Sequence, residues 1–130
     1  MRTRILVTGW RDWPETDKHV IWDVLDFYVS GNPNPGGFVV VHGQCPDGGV
    51  DLYAEQWAIA RGFQYEPHPA DWIQFRNAAG PIRNTEMVDL GADICFGFPG
   101  PHSRGTVDCM KKARRAGIEV REIPWWRATA

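Results

Sequence analysis

The sequence lacks a disulfide framework. Its three cysteines, Cys45, Cys95 and Cys109, form an odd and widely spaced set, and no C-x-x-C pair offers the spacing of a zinc site. Cys95 sits in an apolar run and reads as a small buried residue. No apolar run approaches the roughly 20 residues that span a bilayer. The opening Met1-Arg2-Thr3-Arg4 leads straight into a strand pattern, without the apolar segment of a secretion signal. A reducing cytoplasm is therefore expected. Charge of one sign is also lacking. With 14 Lys and Arg against 16 Asp and Glu, the net charge is −2, which argues against a general nucleic-acid coat protein and makes nucleic acid an unfavoured partner. No His, Cys and carboxylate set has metal-ligand spacing, so neither a metal nor a cofactor is expected. Internal repeats and low-complexity tails are missing as well.

What is present suits one soluble domain. The 130 residues can bury one real core but not two. Residues 1–124 are read as the domain and 125–130 as a short C-terminal tail. Seven tryptophans are many for this length and are read mainly as core or interface residues.

Apolar runs alternate with helical periodicities. Ile5-Leu6-Val7 is a strand ending at Thr8-Gly9, and Pro14 is placed to open a helix with Val20, Ile21, Val24, Leu25 and Tyr28 on one face. Phe38-Val39-Val40-Val41 reads as a strand buried on both sides. A second helix carries Val50, Tyr53, Ala54, Trp57 and Ala58, with Gly62 as its cap. Phe63 to Glu66 is a weaker strand, and 67–80 reads as irregular. Pro81 falls in the first turn of a third helix ending near Gly91. Asp93 to Phe98 is the fourth strand, Thr106, Met110, Ala113 and Gly117 mark the inner stripe of the last helix, and Ile118 to Ile123 is the fifth strand. This β-α alternation predicts an α/β fold: a Rossmann-like three-layer αβα sandwich on a mainly parallel five-stranded sheet, of order 3-2-1-4-5.

Ligands of such sheets sit beyond the carboxyl ends of the strands, where the strand order reverses. For this order the reversal falls between strands one and four. The loops there carry Thr8, Gly9, Arg11 and Asp12, and then Pro99, Gly100, Arg104, Gly105 and Thr106. The second of these is a strand emptying through a Gly/Pro turn into a helix, a way to present backbone N–H groups and a helix dipole to phosphate. Arg104 adds a cation and Thr106 a hydroxyl. His42 and Gly43 end strand two and face the same crevice. Gly48-Gly49 opens the second helix as a further candidate anion nest. Asp51, in its first turn, is read either as a ribose ligand or as a cap complementing the dipole. Arg83, Asn84 and Met87 begin the third helix, with Arg83 a planar fork for phosphate. Lys111-Lys112-Ala113-Arg114-Arg115 reads as a solvated helix face. His68 and Asp71 share a loop without evidence that they meet.

Several segments together resemble a known family. They are Val7-Thr8-Gly9-Trp10-Arg11-Asp12-Trp13, Val41-His42-Gly43, Gly49-Val50-Asp51, His68-Pro69-Ala70-Asp71-Trp72, the stretch from Ala79 to Met87, and the turn from Phe98 to Thr106. In this order they are similar to the YspA, cpYpsA-related family of the SLOG superfamily, which groups Lonely Guy proteins with Smf/DprA proteins. The resemblance implies a Rossmann-like domain binding a nucleotide or nucleotide-derived ligand, without naming one; the leading reading is a module that binds an ADP-ribose-like molecule or a nucleoside monophosphate as a sensor or to sequester it. The resemblance also implies a homodimer, for which Trp125-Trp126 offer a surface unless they fold back on their own sheet.

Lonely Guy enzymes carry Pro-Gly-Gly-x-Gly-Thr-x-x-Glu and hydrolyse nucleoside 5′-monophosphates at the N-glycosidic bond. Here the loop is longer, and the position three after Thr106 is Cys109 rather than glutamate. Asp108 lies about 100° away around the helix. Asp108 and Glu86 are the candidate acids if the chain is such a hydrolase, which is the alternative to binding alone. Residues 44–47 also stand where family members often carry an arginine-containing loop. DprA-like binding of single-stranded DNA is the remote third reading, since no basic-aromatic groove is evident.

Overall fold

A computed structural model describes residues 1–128. Five strands, β1 (Thr3–Gly9), β2 (Phe38–His42), β3 (Gln64–Pro67), β4 (Ile94–Phe98) and β5 (Val120–Glu122), form one sheet of order β3-β2-β1-β4-β5. Every neighbouring pair is parallel, so the expected doubly wound α/β architecture is the one adopted. The helices are α1 (Lys18–Gly31), α2 (Val50–Arg61), α3 (Trp72–Phe75), α4 (Ala79–Asp89), α5 (Arg104–Arg115) and α6 (Trp125–Ala128). Among the described residues no helix is long and apolar enough to cross a membrane.

Side chains alternate across the strands and build two cores. On one face, Ile5 and Val7 of β1, Val40 of β2, and Phe96 and Phe98 of β4 pack with Ile21, Leu25 and Tyr28 of α1 and with Ala54 and Trp57 of α2. On the other, Leu6, Val41 and Cys95 meet Met87 and Val88 of α4 and Cys109 and Ala113 of α5. All five residues of β2 are buried. Its unbroken apolar run reflects cover on both sides, whereas the edge strand β3 is largely exposed.

The departures from the sequence reading are local. Pro14 precedes a single 3-10 turn, Glu15–Asp17, and α1 begins only at Lys18. The stretch read as irregular contains α3 and a 3-10 turn, Arg76–Ala78. Asp71 caps α3 by accepting the Gln74 amide at 3.0 Å. Helix α4 starts at Ala79, so Pro81 still lies in the first turn, where its missing N–H costs nothing. The inner stripe of α5 is Thr106, Cys109, Met110 and Ala113. Gly117 lies beyond that helix at φ 80°, where it turns the chain toward β5.

The expected tail begins with an anchored turn. Trp125 donates its backbone N–H to the Pro99 carbonyl at 2.9 Å and its indole N–H to Asp17 Oδ2 at 3.0 Å. Its ring lies 5.4 Å from that of Trp10. This tryptophan folds back on its own domain. The last two residues of the tail, 129–130, lie outside the described residues.

Two predictions follow from this packing. A methyl group at Gly100 would collide with the rigid indole of Trp10. Gly100→Ala is expected to lower the unfolding free energy by about 1–3 kcal/mol in urea titration; an unchanged midpoint would contradict the contact. The second concerns Arg4, which forks onto Glu66 at 3.0 and 2.9 Å and holds that carboxyl down from 4.5 to about 2. A depressed carboxylate stabilises the fold above its unfolded pKa, and the effect is lost as pH falls through the folded value. Glu66→Gln should therefore cost about 1 kcal/mol at neutral pH, the figure being reduced by solvent screening of a third-exposed side chain. The difference from the parent should shrink between pH 4.5 and about 2. A difference independent of pH would contradict the ion pair.

Candidate functional site

The candidate site is built on the carboxyl edge of the sheet. Gly9 at the end of β1 pairs with Phe98 at the end of β4, and this is where the strand order reverses. The Trp10 N–H donates to the Phe98 carbonyl at 2.9 Å, while the Trp10 carbonyl accepts the Val50 N–H at 3.2 Å. One residue thus joins β1, β4 and the start of α2.

Several candidate glycines here serve close packing within the chain. A Cβ at Gly9 would strike Val50, one at Gly49 the Arg11 backbone, one at Gly43 the Arg83 guanidinium, and one at Gly100 the Trp10 ring. Gly49 also needs its φ of 70°. Gly105 is different, because a Cβ there would meet nothing. It lies exposed in the first turn of α5.

The turn ahead of α5 closes on itself. Ser103 Oγ accepts the Gly100 N–H at 2.8 Å, and His102 takes a left-handed φ of 60°. Arg104 donates its N–H to the His102 carbonyl at 3.0 Å, and Val107 donates to Ser103 at 3.1 Å. Among the described residues, the N–H groups of Gly105 and Thr106 donate to no protein acceptor. Arg104 has no acidic partner among them either. Thr106 itself is buried under the turn.

Behind this turn, α4 braces α5. Asn84 donates Nδ2 to the Gly105 carbonyl and to Asp108 Oδ2, both at 3.1 Å, and its Oδ1 accepts Arg83 Nε at 3.0 Å. Arg83 Nη1 donates to the Gly43 carbonyl and reaches His68 O at 3.5 Å. Its Nη2 has no protein acceptor among the described residues. Arg83 therefore ties the end of β2 to α4 with one arm and keeps the other free. Met87 is core.

Other candidates are engaged within the fold. His42 is buried, its Nδ1 accepting the Gln44 N–H at 3.0 Å. That contact places the ring proton on Nε2, which donates to Glu55 Oε1 at 3.0 Å. Asp51 is buried and accepts the Cys45 N–H at 3.2 Å, stapling the loop after β2. Burial pushes its carboxyl up, against the opposing pull of the Arg83 guanidinium. Arg11 is exposed and lies 3.4 Å from Asp47. Asp12 is exposed. His68 bonds Glu66 at 2.7 Å and Glu86 at 3.4 Å, and not Asp71.

The position three after Thr106 faces inward. Cys109 sits in the core beside Leu6 and Met87, and burial pushes its thiol up to about 11, against the opposing pull of the Thr8 hydroxyl. Asp108, one residue earlier, points to the outside of α5. Its carboxylate takes Lys112 at 3.0 Å as well as Asn84.

A cavity of about 530 Å³ opens on the β5 side of the glycine turn, within the size range of small-molecule sites. Arg104, Asp108 and Lys111 of α5 line it together with Trp126 of α6. Pro99 and Gly100 form its inner wall. The space over Gly100 toward β1 is filled by Trp10. The sequence reading placed Lys111 on a solvated helix face and Trp126 in a surface for a partner copy, and neither at a ligand site. The i, i+4, i+7 spacing of Arg104, Asp108 and Lys111 was the available signal for the first; nothing local marked the second. Among the described residues, no cluster of three or more His, Cys, Asp or Glu could hold a metal ion.

Comparison with known proteins agrees with the fold. A family model described as the YspA, cpYpsA-related SLOG family matches residues 3–75, which run from β1 through α3. The chain is also 43% identical over 122 residues to the Gene 61 protein of Mycobacterium phage D29, covering 90% of this chain and 93% of that protein. With more than half its length matched, the chain belongs to the YspA, cpYpsA-related SLOG family.

Proposed function

We propose that this protein binds a nucleotide or nucleotide-derived ligand, a nucleoside monophosphate or an ADP-ribose-like molecule, as a sensing or sequestering module. The observation that carries this reading is the open first turn of α5. Two backbone N–H groups without protein acceptors, a guanidinium without an acidic partner and a glycine with free space above it lie side by side. A phosphate satisfies all three and is further favoured by the helix dipole. Membership of the SLOG family supports the nucleotide class.

In this reading Arg104 and the Gly105 and Thr106 amides hold the phosphate. Asn84 positions them by gripping the Gly105 carbonyl. The free arm of Arg83 offers a second donor toward β2. Thr8 stays buried near Cys109.

Hydrolysis of the N-glycosidic bond is the second reading, and one observation speaks for it: the Asp108 carboxylate lines the cavity. Cleavage develops positive charge on the sugar and needs a carboxylate close to it. Asp108 is the available group, but its charge is answered by Lys112 and Asn84. Glu86 lies apart, against His68. Cys109 offers a buried thiol where a glutamate would be needed. Binding without turnover is the reading these contacts favour.

The test combines thermal shift with chromatographic detection of free base, using the four nucleoside 5′-monophosphates and ADP-ribose. At least one should raise the melting temperature of the parent without releasing base. Arg104→Ala should weaken its binding about tenfold or more, as expected for loss of a charge-assisted hydrogen bond. Base release by the parent that disappears in Asp108→Asn would replace binding with hydrolysis. No shift with any compound would overturn the nucleotide reading.

A further inference from the structure

The adjacent tryptophans of α6 have opposite surroundings. Trp125 is fixed by its bonds to Pro99 and Asp17 and by contact with Trp10. Trp126 is 51% exposed, and its indole lines the cavity beside the glycine turn. Anchoring the first therefore sets the position of the second. An exposed indole at the rim of a cavity offers a ligand a flat apolar face with a polar edge.

The opposite wall is a single stripe of α5. Arg104, Val107, Asp108 and Lys111 follow i, i+3, i+4 and i+7 spacing and all line the cavity. Asp108 is neutralised by Lys112, and Glu122 at the floor lies 3.6 Å from Arg114. Neither Arg104 nor Lys111 has an acidic partner among the described residues. The cavity therefore combines two uncompensated cations, an exposed valine and an exposed indole. A cavity lined by cations and a flat apolar ring matches an anionic group joined to an aromatic heterocycle.

We propose that Trp126 is the stacking platform for the base of the bound nucleotide. The base then lies on the β5 side of the turn, with its phosphate at Arg104 and the first-turn amides of α5, and α6 is part of the ligand site. This rests on the nucleotide reading above. It assigns a role to a residue outside the glycine turn and sends the ligand away from β1, where Trp10 fills the space.

Calorimetric titration of the full chain tests the stacking separately from phosphate binding. The probes are the four nucleoside 5′-monophosphates and ribose 5-phosphate, which carries the same phosphate and no base. The parent should bind at least one mononucleotide more tightly than ribose 5-phosphate. Trp126→Ala should lose about tenfold on that nucleotide, Trp126→Phe should retain most of the affinity, and ribose 5-phosphate should bind all three proteins alike. A parent that binds nucleotide with Trp126→Ala indistinguishable from it would overturn the stacking role and leave the nucleotide reading standing. An equal loss on ribose 5-phosphate would likewise overturn it, showing a general disturbance of the turn. A parent that binds none of these probes would overturn the stacking role together with the mononucleotide form of the reading above.

Discussion

Trp10 is the residue on which the carboxyl edge of this sheet depends. Its N–H closes onto β4 and its carbonyl onto α2. Its ring rests on Gly100 and against Trp125. Without that ring, Gly100 would not need to be a glycine and the C-terminal helix would lose one of its supports. With it, the gap between β1 and β4 is occupied, and the turn after β4 faces the β5 side. In the proposed reading, the side from which a ligand enters follows from where one indole packs.

The second determinant is the brace from Arg83 through Asn84 to Gly105. It joins the ends of β2, α4 and α5 through polar contacts at the top of the second core. Phosphate sites work when their donors are fixed before the ligand arrives. Asn84 fixes them by holding a backbone carbonyl of the first turn, and its own burial makes that bond valuable. Cys109 completes the picture from below. A carboxylate in its place would enter an apolar core next to Cys95 and Met87 rather than the cavity. The missing glutamate is consistent with how this helix is rotated.

The fold was legible because periodicity reports burial. The run Phe38 to Val41 is unbroken since both faces of β2 are covered, and the Val50 to Ala58 spacing matches one face of α2. The strand-to-helix turn after β4 was legible because glycine, proline and arginine cluster where a strand ends. The roles of individual glycines were not. Gly9, Gly43, Gly49 and Gly100 look alike in sequence whether a ligand or a neighbouring side chain approaches them. Here a valine, an arginine, a backbone segment and a tryptophan do. The bonds of His42 to Glu55 and of Asp51 to the Cys45 amide depend on how a loop folds over a helix start. The place of Trp126 at the cavity was hidden for a similar reason. Only the anchoring of its neighbour by residues as distant as Asp17 places it at the cavity.

The central claim is that the open first turn of α5 receives an anion belonging to a nucleotide. Backbone amide NMR of the 15N-labelled full chain, titrated with the mononucleotide or ADP-ribose that shifts its melting temperature most, tests this most directly. The account predicts saturable shifts centred on the Gly105 and Thr106 amides, with smaller changes at Gly100 and Ser103 and little at the N-terminal edge of the sheet. Saturable shifts confined to residues remote from this turn, with Gly105 and Thr106 unmoved, would contradict it.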